Sequence, residues 1–395
     1  MNNYLIKDLM NVNRGSSPRP IMKYLSDFGY RWLKISDFNL YDRYVYETKE
    51  FIKEAGLKNT RHLPAGTLIL TNSATPGIPI FLGKDMCLHD GFLYFTNIDE
   101  NKINTNFLYY WFLYNRNLIV NQANGSVFKN LKKDIVENFE IKVPNIIIQL
   151  KTIKILDNIN SKIELNNKIN NNLYDMLKRL YKELYLNNPS YNTWESMTLN
   201  DVTCKFATGL NPRKNFVLGQ GNNYYVTIKN MPNNQVILDD KCDKVDDEAL
   251  IKINKRSDLK VGDLLFSGIG TIGRTYLIKS KPTNWNISES VFTIRPNDKI
   301  SSEFLYLLLL DSDMQNYAVS KASGSVQKGI RMADLKLYKL KVPGKEWMDT
   351  FTNTISPLID KIYLNYEMNE KLCRLRDTLL PKLMNGEIDL DNIEI

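Results

Sequence analysis

The stretch SGIGTIGRT, Ser267 to Thr275, places Gly268, Gly270 and Gly273 in a formal GxGxxG after the strand-like DLLFS. Such a loop cradles a pyrophosphate only where its third glycine opens a helix, whose first amides meet the phosphate. Here RTYLIKS follows and alternates like a second strand, so the loop reads as a hairpin that passes close to a ligand. The stretch NNPSYN, Asn187 to Asn192, comes near the Asn-Pro-Pro-Tyr motif of amino-methyltransferases. It lacks the second proline and follows a helical run, as a helix stop and linker would. Two histidines, His62 and His89, and four cysteines, Cys87, Cys204, Cys242 and Cys373, offer little to a zinc site or a triad. With no paired-carboxylate set and no Walker loop, the chain reads as a non-catalytic protein with no cofactor or metal of its own.

What remains is the chemistry of binding. The formal charge is +8, from 52 Lys and Arg against 44 Asp and Glu, and this favours a polyanion such as nucleic acid. Phosphates take Lys, Arg and small hydroxyl side chains on loops; base edges take Arg, Lys, Asn, Gln, Ser and Thr that can enter a groove. In the first half of the chain the candidates are Arg14, Ser16, Ser17, Arg19, Lys34, Thr71, Asn72, Ser73 and Lys129. In the second they are Arg213, Lys214, Lys229, Ser267, Thr271, Arg274 and Lys328. No apolar run reaches the roughly 18 residues a membrane span needs, and the opening MNNYLIKDLM lacks a signal peptide's apolar core. The unpaired cysteines suit a reducing cytoplasm.

The elements that must position these residues are spelled twice. ANGSVFKNLKKDIVENFEIKVP, Ala123 to Pro144, recurs as ASGSVQKGIRMADLKLYKLKVP, Ala322 to Pro343, with 8 ungapped matches. GSSPR (Gly15 to Arg19) faces GLNPR (Gly209 to Arg213), and WLKISDF (Trp32 to Phe38) faces YVTIKNM (Tyr225 to Met231). LPAGTLILTNSATPG (Leu63 to Gly77) faces LKVGDLLFSGIGTIG (Leu259 to Gly273), and NFLYYWF (Asn106 to Phe112) faces EFLYLLL (Glu303 to Leu309). Short β-branched and aromatic runs broken by Gly, Pro and Asn, with one or two short helices, predict an α+β globule in each copy. A shared framework with altered loops predicts one task performed on two different targets. Lys129 and Lys328, kept in both copies, then suit phosphates better than bases.

After Pro144 and after Pro343 glycine almost disappears and the apolar period becomes helical. A seam in steps of three and four runs through Leu156, Ile159, Ile163, Asn166, Asn170, Leu173, Leu177, Leu180 and Leu184. The second helix repeats it at Leu358, Ile362, Asn365, Asn369, Leu372, Arg376, Leu379 and Leu383. This is a coiled-coil pattern, and asparagine at the same two seam positions of both helices would pin the register. Pairing within one chain predicts an antiparallel coiled coil, with the globules at opposite ends of helices roughly 60 Å long. The boundaries expected are 1–144 and 191–343 for the globules, 145–190 for the central helix and linker, and 344–395 for the C-terminal helix and tail.

Two diverged globules, two matched helices and a basic balance resemble the DNA-specificity (S) subunits of type I restriction-modification systems. LRDTLLPKLMNGEIDL (Leu375 to Leu390) is similar to that family's ending of the second helix. The segments Gly125 to Lys129 and Gly324 to Lys328 are similar to its closing segment of each target-recognition domain, and GDLLFSGIGTIGRT resembles its common loop. TNSATPG departs from that loop in the first copy. The resemblance implies two tandem target-recognition domains, each reading one half of a bipartite double-stranded DNA site, with the helical pair as a spacer. It implies two methyltransferase (M) subunits as partners, carrying S-adenosylmethionine and the adenine-flipping chemistry. Endonuclease-translocase (R) subunits would join that core. The alternative is a coiled-coil scaffold whose two globules bind proteins; only DNA reading predicts affinity that falls steeply with salt.

Overall fold

The computed structural model describes residues 1–38, 43–122, 130–324 and 327–392. The chain forms two compact units, Met1–Glu164 with Asn369–Ile395, and Leu165–Met368. Each unit thus holds one globule and a stretch of both long helices.

In the first unit the strands Asn2–Leu5 and Glu140–Val143 pair antiparallel, Asn2 opposite Val143, so the globule opens and closes at one ribbon. A five-stranded sheet runs in the order Asn11–Arg14, Phe92–Thr96, Leu68–Thr71, Pro79–Leu82, Tyr44–Val45. The run LILT has no polar alternation because it is buried on both faces. A second sheet is ordered Leu25–Ser26, Phe51–Ile52, Tyr30–Leu33, Met86–Leu88, Arg61–Leu63, with Met86–Leu88 parallel to Tyr30–Leu33. The helix Thr105–Tyr114 is capped by Asn104, whose side chain accepts from the Asn106 amide, and buries every residue from Phe107 to Phe112.

The second unit repeats this plan. Glu195–Thr198 pairs with Lys339–Val342, and a four-stranded sheet runs Thr203–Thr208, Val291–Pro296, Leu264–Ser267, Thr275–Leu277. A three-stranded sheet holds Asp243–Val245, Asn223–Val226 and Trp285–Ile287, the last two parallel. Ser301 caps the helix Ser302–Leu310, which buries Phe304 to Leu309.

The central helix covers Ile146–Tyr181 and ends in one wider turn, Lys182–Leu186; the C-terminal helix covers Lys345–Met384. Within the second unit they run antiparallel. Asn365 Nδ2 donates to Asn170 Oδ1 at 2.7 Å, and Asn170 Nδ2 donates to the Ile362 carbonyl at 3.3 Å. Further along, the rings of Tyr185 and Trp347 lie 6.1 Å apart. Within the first unit Arg376 Nη1 reaches Asn160 Oδ1 at 3.5 Å and Lys151 Nζ donates to the Leu390 carbonyl at 2.7 Å, again antiparallel.

Of the seam residues, Leu156, Ile159, Asn166, Asn170, Leu177, Ile362, Asn365 and Leu383 are buried. Ile163, Leu173, Leu180, Leu358, Asn369, Leu372 and Leu379 are half-buried. One detail shifts: Ile359, not Leu358, takes the fully buried place in the C-terminal helix. The helices also pack against globule side chains there, so the buried stripe is wider than a strict two-helix seam.

Candidate nucleic-acid interface

The Gly-x-x-Pro-Arg turns are built alike in the two copies. Gly15 donates its amide to the Phe92 carbonyl at 2.9 Å, and Gly209 donates to that of Ser288 at 3.2 Å. Neither could carry a side chain: a Cβ would fall 2.1 Å from the His89 carbonyl oxygen at Gly15 and 1.6 Å from that of Ile287 at Gly209. The third residue of each turn then anchors on an acid. Ser17 Oγ donates to Asp90 Oδ1 at 3.1 Å, and Asn211 Nδ2 donates to Glu289 Oε1 at 3.0 Å.

Asp90 gathers four of the first copy's nine candidates, Ser17 among them. Its carbonyl accepts from Arg14 Nε at 2.9 Å and from Asn72 Nδ2 at 3.2 Å, and its carboxylate lies 3.7 Å from the Arg19 guanidinium. Ser16 is tied nearby, donating Oγ to the Asn59 carbonyl at 2.9 Å. Arg19 nevertheless keeps 83% of its side-chain surface in solvent. In the second copy Glu289 is occupied by Asn211 and by the Tyr225 hydroxyl at 3.0 Å. Arg213 and Lys214 are exposed and form no ion pair among the described residues. Beside Asp90, burial holds the His89 imidazole below its usual pKa, with Asp90 opposing the effect; the Gly91 amide donates to its Nδ1 at 2.9 Å.

The glycine loops share a second device. Thr71 Oγ1 donates to the Thr75 carbonyl at 2.6 Å and accepts from the Ile78 amide at 2.9 Å. Ser267 Oγ donates to the Thr271 carbonyl at 2.6 Å and accepts from the Arg274 amide at 2.8 Å. Gly77 and Gly273, at φ of 81° and 96°, close the loops by donating to the carbonyls of Thr71 and Ser267. TNSATPG therefore folds as its counterpart does, from a hydroxyl at its first position and a glycine at its seventh. No helix follows Gly273; the strand Thr275–Leu277 does, as the alternation predicts.

These contacts correct part of the candidate set. Thr71, Asn72 and Ser267 are buried, and the Thr71 and Ser267 hydroxyls are spent inside the loops, so these residues hold the surface rather than form it. Ser73 is half-buried, its carbonyl accepting from the Thr75 amide. Arg274 is half-buried with Nη1 on the Ile228 carbonyl at 2.7 Å, while neighbouring Lys229 is exposed. Lys34 pairs with Glu50 at 2.5 Å and lies over the Trp32 ring. Thr271 and Lys328 are exposed, and their segments are joined by the Gly270 amide on the Lys328 carbonyl at 2.8 Å. Lys129 lies outside the described residues. Sequence reasoning missed Asp90 and Glu289, because an acid is not sought where a polyanion is expected. Their signal is the small residue after each, in HDGF and SESV, where a tight turn must form.

The model of the type I restriction modification DNA specificity domain matches this chain twice, over residues 1–174 and 191–373. The chain is similar to the type I restriction enzyme MjaIX specificity subunit of Methanocaldococcus jannaschii, 24% identical over 98% of this chain and 93% of that one. It is also similar to the type I restriction enzyme HindI specificity subunit of Haemophilus influenzae, 29% identical over 49% of this chain and 42% of that one. Its fold is like the crystal structure of the type I restriction-modification S subunit from M. genitalium, with a TM-score of 0.58 at 14% identity, covering 97% and 95% of the two chains.

Proposed function

The chain belongs to the type I restriction modification DNA specificity family, and on that premise we propose that each globule reads one half of a split double-stranded DNA target. The carrying observation is the pair of anchored turns. The framework is the same twice, Gly15 and Gly209, Ser17 on Asp90 and Asn211 on Glu289, each turn presenting an exposed arginine, Arg19 or Arg213, while the exposed residue after it differs, Pro20 against Lys214. A scaffold kept constant beneath altered loops suits two recognition events of one kind on different base sequences.

The helical pair sets the unread gap between the halves. Its 36- and 40-residue helices are about 54 and 60 Å long at 1.5 Å per residue, enough to span more than one turn of the duplex. Two methyltransferase subunits dock on this chain, and S-adenosylmethionine and the adenine chemistry lie with them. The helices support this by leaving the same apolar positions uncovered in each copy: Leu165 and Leu364 at 50% and 52% exposure, Met176 and Leu375 at 49% and 47%. Endonuclease-translocase subunits join that core.

Single-molecule sequencing of DNA methylation, with and without this chain in its host, tests the proposal. The expected result is one split motif, with an unread gap, that loses its adenine methylation. An unchanged methylome with the partners expressed would put a protein-binding coiled-coil scaffold in its place.

A further inference from the structure

We infer that the segment after Arg19 is an apolar wedge that opens a base step in the half of the target read by residues 1–144; this rests on the DNA-reading function proposed above. Met22 and Phe28, at 78% and 80% exposure, are the most exposed large apolar side chains among the described residues. They stand on a segment that is held in place. Ile21, Tyr24 and Leu25 pack against Trp32, Ile52 and Cys87, the Lys53 amide donates to the Tyr24 carbonyl at 2.9 Å, and Leu25 pairs with Ile52. Gly29, at φ 123°, follows Phe28 where a Cβ would come 2.8 Å from the Ile52 carbonyl oxygen. The inner face is fixed while Met22 and Phe28 point most of their surface outward.

The flanking charge selects the occupant. Arg19 and Lys23 bracket Met22, both exposed, and Asp27 is the one acid between Arg19 and Gly29. A partner that satisfies cations and apolar tips together must present anionic rails beside flat apolar faces. A base stack between phosphates does so, and Met and Phe are among the side chains that enter such stacks and unstack a step. The second copy is built differently. Phe216 is turned in against Tyr225, edge to face at 5.5 Å, and Val217, though 62% exposed, is a short branched side chain. The wedge therefore belongs to the first recognition domain alone.

The test uses the chain assembled with its methyltransferase partners and duplexes carrying the motif that methylation sequencing defines. 2-Aminopurine is placed in turn at each position of that half-site except the methylated adenine. One step should brighten on binding with the native chain and stay dark with Met22→Ala/Phe28→Ala. The double variant should bind about tenfold more weakly, and a mismatch at that step should restore its affinity, since the unstacking is then already made. Tight motif binding with no bright step would overturn the wedge and leave DNA reading intact. Loss of methyltransferase assembly in the double variant, seen by size-exclusion chromatography, would overturn it in favour of a protein contact. Failure of the native complex to prefer the motif would take both readings down.

Discussion

Ser17 and Asn211 differ in length and chemistry, yet each donates one hydrogen bond to the acid that follows the strand beside it, Asp90 or Glu289. In a binder of polyanions these two carboxylates cannot face the ligand without cost, and here they are occupied by donors from the turn. Arg19 and Arg213 are the residues so presented. The hydroxyls of Thr71 and Ser267 do parallel work inside the glycine loops. Thr71→Val leaves the buried Ile78 amide without its acceptor, at a cost of roughly 1–3 kcal/mol, and Ser267→Ala does the same to the part-buried Arg274 amide at the lower end of that range. Thermal unfolding should show a lower midpoint for each variant. The methylated motif should keep its sequence, since neither side chain reaches the surface. A changed motif would mean that these hydroxyls read DNA after all.

At the scale of elements, the long helices and the strands around them were legible because their signals are local. The loss of glycine after Pro144 and Pro343, the three-and-four spacing and the repeated LKVGDLLF pattern all lie within a few turns of chain. The candidate interface was legible only in outline. Arg14, Asn72 and Ser17 are held by Asp90 across 18 to 76 residues, contacts for which spacing carries no sign. The parallel pairing of Met86–Leu88 with Tyr30–Leu33 is likewise set by closure of the whole globule. The seam asparagines lie between these cases: their position shows in sequence, and their partners only in the fold. Asn365→Leu strips the buried Asn170 Oδ1 of its donor and should destabilise the protein by about 1–3 kcal/mol. Asn170→Leu/Asn365→Leu removes both amides and should cost less than the two single changes summed. Chemical denaturation of the four-member cycle measures the coupling; strict additivity would mean that the bond contributes no pairing energy.

For the whole molecule, charge and duplication set the behaviour. On the proposed reading, a chain of net charge +8 that held a duplex through exposed Arg19, Arg213, Lys214, Lys229 and Lys328 would release counterions on binding. Log affinity for the motif should therefore fall linearly with log salt, by about 0.9 per phosphate neutralised. Titration of the assembled complex between low and physiological salt measures the slope, and a flat line would speak for protein ligands. The ribbons Asn2–Leu5 with Glu140–Val143, and Glu195–Thr198 with Lys339–Val342, have a separate consequence. Each globule's chain enters and leaves side by side, so genetic recombination at these two seams exchanges a complete cassette without lengthening or cutting a helix. On the proposed reading, such an exchange would move one half of the target sequence as a unit.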